Sequence, residues 1–326
     1  MIIDVHHHWM PGELYYNVEK YLRPGQEAVR DGQRYHVVKG GTTLFSRNPK
    51  YTLVEEQLVD MDAAGVDMAV LHLSTWQAWT TVRTGPYIND VMAELVSRHP
   101  RRFIGLAHVA PDKKAGVKEL DRAVTSLGLK GVGITTHLWG KPLDHRSFWP
   151  FYEKVAELDV PVVVHPAPGP AEDRLLRDYK LTRSLGRAID LLTATTRLLY
   201  SGLLERFPNL RFIVSHLGGA IFALRNRIDP RHDFPSDRAP GAAAQFAAGL
   251  KQIYVDTAPP YWTSAEVRFA TEMLGPDRVL FGSDYPAGPT GQGSLAAARA
   301  IVEGLPDPSV RVGVLGGNAA ALFRVR

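Results

Sequence analysis

The chain has 326 residues, 45 % of them hydrophobic, which suffices to bury a large core in either two ordinary domains or one large α/β barrel. It has no cysteine, which excludes a disulfide framework, a thiolate metal site and a cysteine nucleophile, so any metal must sit among nitrogen and oxygen ligands. The formal charge of +4 arises from 38 basic and 34 acidic residues scattered together, a solvated surface rather than a nucleic-acid footprint.

The first element lies in "IIDVHHHWMP" at 2–11, an apolar strand running into three histidines. Alternation on a strand puts His6 and His8 on one face with Asp4, and His7 on the other. Two imidazoles a pleat apart can chelate one metal ion, whereas a polar strand end would give each an ordinary hydrogen bond; this stretch alone leaves both readings open. Residues 11–50, with a hairpin expected in "RYHVVKGGTTLFS", read as an insertion after that strand. Seven further β-type runs follow at 67–73, 103–109, 129–135, 160–165, 211–216, 252–257 and 278–284. Between them stand helical patterns such as "VEEQLVDMDAAG", "PYINDVMAELVSRHP", "GVKELDRAVTSLG" and "FWPFYEKVAELD". The alternation predicts an α/β fold, a (β/α)8 TIM-like barrel with a small insertion after strand 1 and a helical excursion at 169–208 after strand 5, all one domain over 1–326. A doubly wound open sheet is the alternative. No run approaches the roughly 20 apolar residues that cross a bilayer, and the start has no basic segment leading into an apolar one, so a cytoplasmic protein without membrane partner is expected.

In a barrel the strand ends converge on one mouth. Here strand 1 ends in His6 and His8, strand 5 in His165, strand 6 in His216 and strand 8 in Asp284. A single such residue is ordinarily structural; five at four ends supply three imidazoles and a carboxylate for one divalent cation, with a further imidazole nearby.

These residues, with "DVHHHWMP" at 4–11, "GLKGVGI" at 128–134, "FWPFYEKVAELDVPVVVHP" at 148–166, "RFPNLRFIVSHLGG" at 206–219, "RVLFGSDYP" at 278–286 and "LGGNAAALF" at 315–323, span nearly the whole chain in order. The sequence resembles the decarboxylase branch of the amidohydrolase superfamily, amidohydrolase family 2, exemplified by aminocarboxymuconate semialdehyde decarboxylase. The resemblance implies that His6, His8, His165 and Asp284 hold one metal, usually zinc and sometimes manganese. It further implies that His216 is a catalytic base or polarising group and that the protein is a homodimer. Unlike the binuclear hydrolases, the chain has no lysine at the end of strand 4, which runs "GVGITTH" up to His137.

Around this core the assignments are open. His7 suits a structural hydrogen bond, and His72 and His108 read as packed strand residues. Trp9, Trp76, Trp79 and Trp139 follow strands at the expected mouth, where they either wall a planar substrate or simply pack. Arg47 resembles in position an arginine that binds a substrate carboxylate, which its planar fork suits; Arg174 and Arg177 on the second excursion are further candidates. Asp256 orients His216, meets a substrate hydroxyl, or caps. "GPTGQGS" at 288–294 lacks the lysine of a phosphate loop and reads as a turn into the last barrel helix. The leading expectation is a metal-dependent, non-oxidative decarboxylase of an aromatic or unsaturated carboxylic acid, with His216 and Asp284 catalytic. The metal either activates water that adds to the conjugated system or holds a substrate hydroxyl and carboxylate while the ring is protonated. A hydrolase or hydratase with the same metal, and a non-catalytic metal-binding partner subunit, are the alternatives.

Overall fold

The computed structural model describes residues 1–167, 176, 178–232, 242–258, 261–287 and 293–325. Eight short parallel strands carry the fold: β1 (Ile3–His8), β2 (Met68–His72), β3 (Phe103–Gly105), β4 (Val132–Thr135), β5 (Val162–His165), β6 (Phe212–Val214), β7 (Ile253–Asp256) and β8 (Val279–Leu280). They pair in the orders β1-β2-β3 and β4-β5-β6-β7-β8. Backbone hydrogen bonds join the two arcs at both seams: Val5 N to Phe281 O (2.9 Å) and His8 N to Tyr285 O (2.7 Å) on one side, Ala107 N to Gly131 O (2.8 Å) and Gly133 N to Ala107 O (2.9 Å) on the other. The strands therefore close into the expected barrel rather than an open sheet.

Alternate residues of the strands divide between two cores. Ile3, Val5, Val70, Val163, Ile213 and Leu280 pack with one another and with Ala319, Leu322 and Phe323 of the last helix, filling the interior. Ala69, Leu71, Val162, Val164, Phe212 and Val214 pack outward on Met92, Leu95, Leu120, Phe151, Val155 and Leu198 of the surrounding helices. The four helical patterns named above become helices at Val54–Ala64, Thr84–Arg98, Lys114–Thr125 and Trp149–Leu158.

Simple alternation fails in β1. Asp4 pairs with Ala69 and His7 with Leu71, three residues against two, so a bulge lies between them. Its consequence is that His6 and His8 turn inward although Ile3 and Val5 already do. Asp4 does not share their face, as the alternation had it, but sits behind the strand. There it accepts from Ser283 N (3.0 Å) and lies 3.1 Å from His7 Nδ1.

The insertion holds a three-stranded antiparallel sheet, Gln26–Asp31, Arg34–Lys39 and Thr42–Arg47, one strand more than the expected hairpin. It has its own small core of Tyr15, Tyr35, Val37, Phe45 and Trp76. The excursion after β5 carries a 3-10 turn at Asp178–Arg183 and the helix Leu185–Tyr200; Arg174 and Arg177, and most of the 288–294 turn, lie outside the described residues.

Candidate metal centre

The bulge in β1 and the ends of β5 and β8 bring His6, His8, His165 and Asp284 together, with one potential ligand atom of each within 4.8 Å of all the others. The three histidines are buried and their rings stand 4.8 to 5.3 Å apart. Asp284 Oδ1 lies 2.7 Å from His8 Nε2 and 3.3 Å from His6 Nε2. Its backbone is left-handed (φ 59°), as are those of Ser74 (58°) and His216 (55°), so three residues at the mouth hold a conformation unusual for anything but glycine.

The outer partners fix which nitrogen of each ring faces the centre. His6 Nδ1 lies 2.8 Å from Asp256 Oδ2, and His165 Nδ1 lies 2.9 Å from the Pro166 carbonyl, so each ring turns Nε2 inward as a metal-ligating histidine does. Asp256 reaches His216 through the backbone, and no hydrogen bond joins it to the His216 ring among the described residues. Its second oxygen accepts from His216 N (2.9 Å) and Ala258 N (3.1 Å), tying the ligand His6 to the backbone that carries His216. Gly282 makes this possible: a Cβ there would stand 2.9 Å from His6 Cβ and 3.0 Å from Asp256 Cβ.

The electrostatics suit a cation. Burial disfavours a charged His6, yet Asp256 and Asp284 outweigh it and push its pKa up to about 10. Burial would raise Asp284, but His6 and His8 hold it well below the carboxylate range. Burial, helped by the charges of His6 and Arg47 and opposed by Asp284, pushes His8 down to about 3, and His165 is also held well below its ordinary value by burial. His6 Nε2, turned toward Asp284 Oδ1 at 3.3 Å, is buried without a hydrogen bond among the described residues, an arrangement that a divalent ion satisfies and a dry protein does not. Three imidazoles and one carboxylate thus fit a single divalent metal.

Beside this set lies His216, its ring 4.8 Å from that of His6 and 5.7 Å from that of His165. Its Nδ1 is 3.0 Å from the Ala258 carbonyl, which assigns the proton to Nδ1 and leaves the Nε2 lone pair free. Burial, then the charge of His6, lowers its pKa, so it is neutral at pH 7. His72, buried at the end of β2, joins the same histidine cluster with its ring 4.5 Å from that of His8. Its parity with the inward Val70 is the sequence signal that would have placed it there. His7 packs at a tilt against Tyr285, ring centres 4.7 Å apart, and faces Asp4, and His108 is buried with neither ring nitrogen partnered among the described residues.

A cavity of about 270 Å³ opens beside the centre, lined by Ser74, His165 and Asp284 on one side and by Arg34, His36, Arg47, Tyr51, Arg183 and Arg187 on the others. Arg47 is buried, not solvated. Its guanidinium donates to Ser46 O (2.8 Å) and Thr75 Oγ1 (2.7 Å) and stands over the Tyr51 ring at 4.7 Å, while Tyr51 stacks on His8. Tyr51 is the aromatic wall. Trp9, Trp76 and Trp139 do not line the cavity: Trp9 packs in the outer core, Trp76 donates to Tyr35 Oη (3.3 Å) in the core of the insertion, and Trp139 packs on the outer core from a left-handed turn. The core of the insertion takes up Trp76 and Trp79, and the outer core takes up Trp9 and Trp139. The described lining arginines of the excursion are Arg183 and Arg187, which no local pattern sets apart from Arg174 and Arg177 in the sequence.

Over 242 residues, 72 % of this chain and 64 % of the relative, the sequence is 29 % identical to 2-amino-3-carboxymuconate-6-semialdehyde decarboxylase of Dictyostelium discoideum. The fold superposes on the crystal structure of 5-carboxyvanillate decarboxylase from Sphingomonas paucimobilis with a TM-score of 0.82 and 26 % identity, covering 100 % of this chain and 99 % of that one. A dihydroxybenzoic acid decarboxylase from Polaromonas sp. JS666, with bound manganese and 2-nitroresorcinol, superposes with a TM-score of 0.78 and 23 % identity over 99 % of this chain and 97 % of that one. Residues 3–325 match the family model described as Amidohydrolase (Amidohydro_2), and the chain belongs to that amidohydrolase family.

Proposed function

We propose that this protein is a metal-dependent, non-oxidative carboxy-lyase that removes CO2 from an aromatic or unsaturated carboxylic acid. The observation that carries the reading is the shared cavity: His165 and Asp284 of the ligand set, the flat ring of Tyr51 and the guanidinium of Arg47 all line one space. A divalent cation held by His6, His8, His165 and Asp284 would supply Lewis acidity toward substrate oxygens. Zinc suits the three-nitrogen, one-oxygen set, with manganese the alternative. The proposal includes a homodimer in the cytoplasm.

Decarboxylation breaks the bond between the carboxylate carbon and the ring or alkene carbon. The electron pair stays on that carbon, CO2 departs, and a proton takes its place. Arg47, with its planar fork, holds and orients a carboxylate, and Tyr51 fixes the plane of the conjugated system beside it. His216, neutral and with Nε2 free, accepts a proton from solvent and passes it toward the reacting carbon, while ionised Asp284 faces the same space.

The test is release of CO2 from a panel of phenolic, aromatic and muconate-type acids by protein loaded with zinc or with manganese. Turnover of at least one acid, lost on chelation and regained on metal addition, is expected. Hydrolysis of esters or amides with no CO2 from any acid would move the assignment to the hydrolase alternative.

A further inference from the structure

Ser74, on the turn after β2, lines the cavity together with His165 and Asp284 and is 3 % exposed. Its Oγ stands 3.3 Å from His165 Nε2. His165 Nδ1 faces the Pro166 carbonyl at 2.9 Å and carries the proton, so Nε2 of the neutral ring accepts and the Ser74 hydroxyl donates. That nitrogen is also the one His165 turns toward the other members of the ligand set. Its single lone pair cannot serve a hydroxyl hydrogen and a cation at once. Nor is the bond needed to orient the ring, which the Pro166 carbonyl already fixes.

The backbone keeps this hydroxyl on the cavity. Ser74 has φ 58°, a left-handed conformation that a serine holds only where its surroundings over-determine it. Both neighbours supply the constraint. Leu73 packs in the core of the insertion, and Thr75, 1 % exposed, accepts from Arg47 Nη2 at 2.7 Å through its Oγ1. Once a cation takes the lone pair of His165, a buried donor is left that needs another acceptor in the same space, because an unpaired hydroxyl there carries its full desolvation penalty. The same turn anchors, through Thr75, the guanidinium that orients the carboxylate in the reading above.

Resting on the decarboxylase reading, we propose that Ser74 is a substrate-binding residue that exchanges one partner for another: its hydroxyl caps His165 Nε2 in the metal-free protein, and in the loaded protein it donates to an oxygen of the bound acid beside Arg47. The two roles have opposite signs. The hydroxyl opposes metal uptake, since the cation must displace it, and it favours binding of the acid.

The experiment measures both signs on wild type and Ser74→Ala. Calorimetric titration of the metal-free proteins with zinc and with manganese gives the first: Ser74→Ala should bind the ion about two- to tenfold more tightly. Titration of the metal-loaded proteins with salicylate, benzoate and cis,cis-muconate gives the second: at least one acid should bind roughly tenfold more weakly to Ser74→Ala, and kcat/KM for CO2 release should fall to match. Ser74→Gly removes the hydroxyl and suits the left-handed backbone, so it is read in the same way should Ser74→Ala fail to fold. Weaker metal binding in the variants would make Ser74 a support of the ligand set, for instance through Asp284, and overturns the proposal. So does acid binding that is undetectable in wild type or equal in wild type and variants. The two readings fail separately: the opposite shifts in metal and acid affinity without CO2 from any acid remove the decarboxylase assignment and leave Ser74 in its role, whereas CO2 release at the same kcat/KM from wild type and both variants removes that role and leaves the decarboxylase.

Discussion

At His6 two carboxylates outweigh burial, so a proton sits where the cation would otherwise be held, with His6 pushed up to about 10 while His8 and His165 stay neutral. A cation must displace that proton. Metal affinity should therefore rise about tenfold per pH unit from pH 6 to 8 with one proton released, measurable by calorimetry in buffers of different ionisation enthalpy; binding without proton release would contradict the assignment. Asp256→Asn keeps the shape but loses the charge on His6 Nδ1, and should weaken metal binding about 10- to 100-fold. His216→Asn should leave the metal in place and lower kcat by about 100-fold or more, and unchanged turnover would reduce His216 to a structural role. His108 supplies a stability counterpart. Burial lowers it from 6.5 to about 3, so unfolded chains bind a proton there that folded ones refuse. The folded state keeps its full stability from this group above pH 6.5 and loses about 1.4 kcal/mol per pH unit between 6.5 and 3, a slope that His108→Leu should remove from acid denaturation curves.

Among the elements, the turn after β6 carries His216 and packs on the helix whose Arg187 lines the cavity. His216 to Ala220 all have φ between 49° and 66°, a left-handed turn that "HLGGA" can adopt because two of its five residues are glycine. Gly219 faces the helix Leu185–Tyr200 so closely that a Cβ would stand 2.2 Å from the Ala188 carbonyl. The turn thus seats the helix bearing Arg187 against the residue proposed to move the proton. Gly219→Val should displace that helix, lowering stability by roughly 1–3 kcal/mol in urea melts and raising KM. A variant with unchanged stability and KM would show that the close approach is not needed.

For the whole molecule, the net charge of +4 says little, because acidic and basic residues are mixed over the surface; the cavity concentrates what the average hides. Four arginines line one opening, so acids should be drawn toward it and their KM should rise with ionic strength. A KM for acids that stays constant with ionic strength would show that these arginines do not steer the substrate. Among the described residues, no helix is long and apolar enough to cross a membrane.

The sequence by itself determined the barrel and the position of the centre. Eight apolar runs alternate with helices, and the inward parity of Val163 and His165, or of Tyr254 and Asp256, continues an apolar row into a polar strand end, because a strand's side chains repeat every two residues. Two outcomes lay beyond that local rule. The bulge that parts Asp4 from His6 and His8 arises from pairing with β2, and no periodicity within β1 announces it. Which loop groups reach the cavity depends on how the insertion and the excursion fold over the mouth. The insertion built a second core that drew Trp76 inward and left Tyr51 as the wall, while the excursion presented Arg187 through contacts more than 100 residues apart, such as its donation to the Leu44 carbonyl, |i−j| 143. Strand ends are placed by a repeat written in the chain, whereas loop side chains are placed by packing against distant segments, and only the tertiary structure decides those contacts.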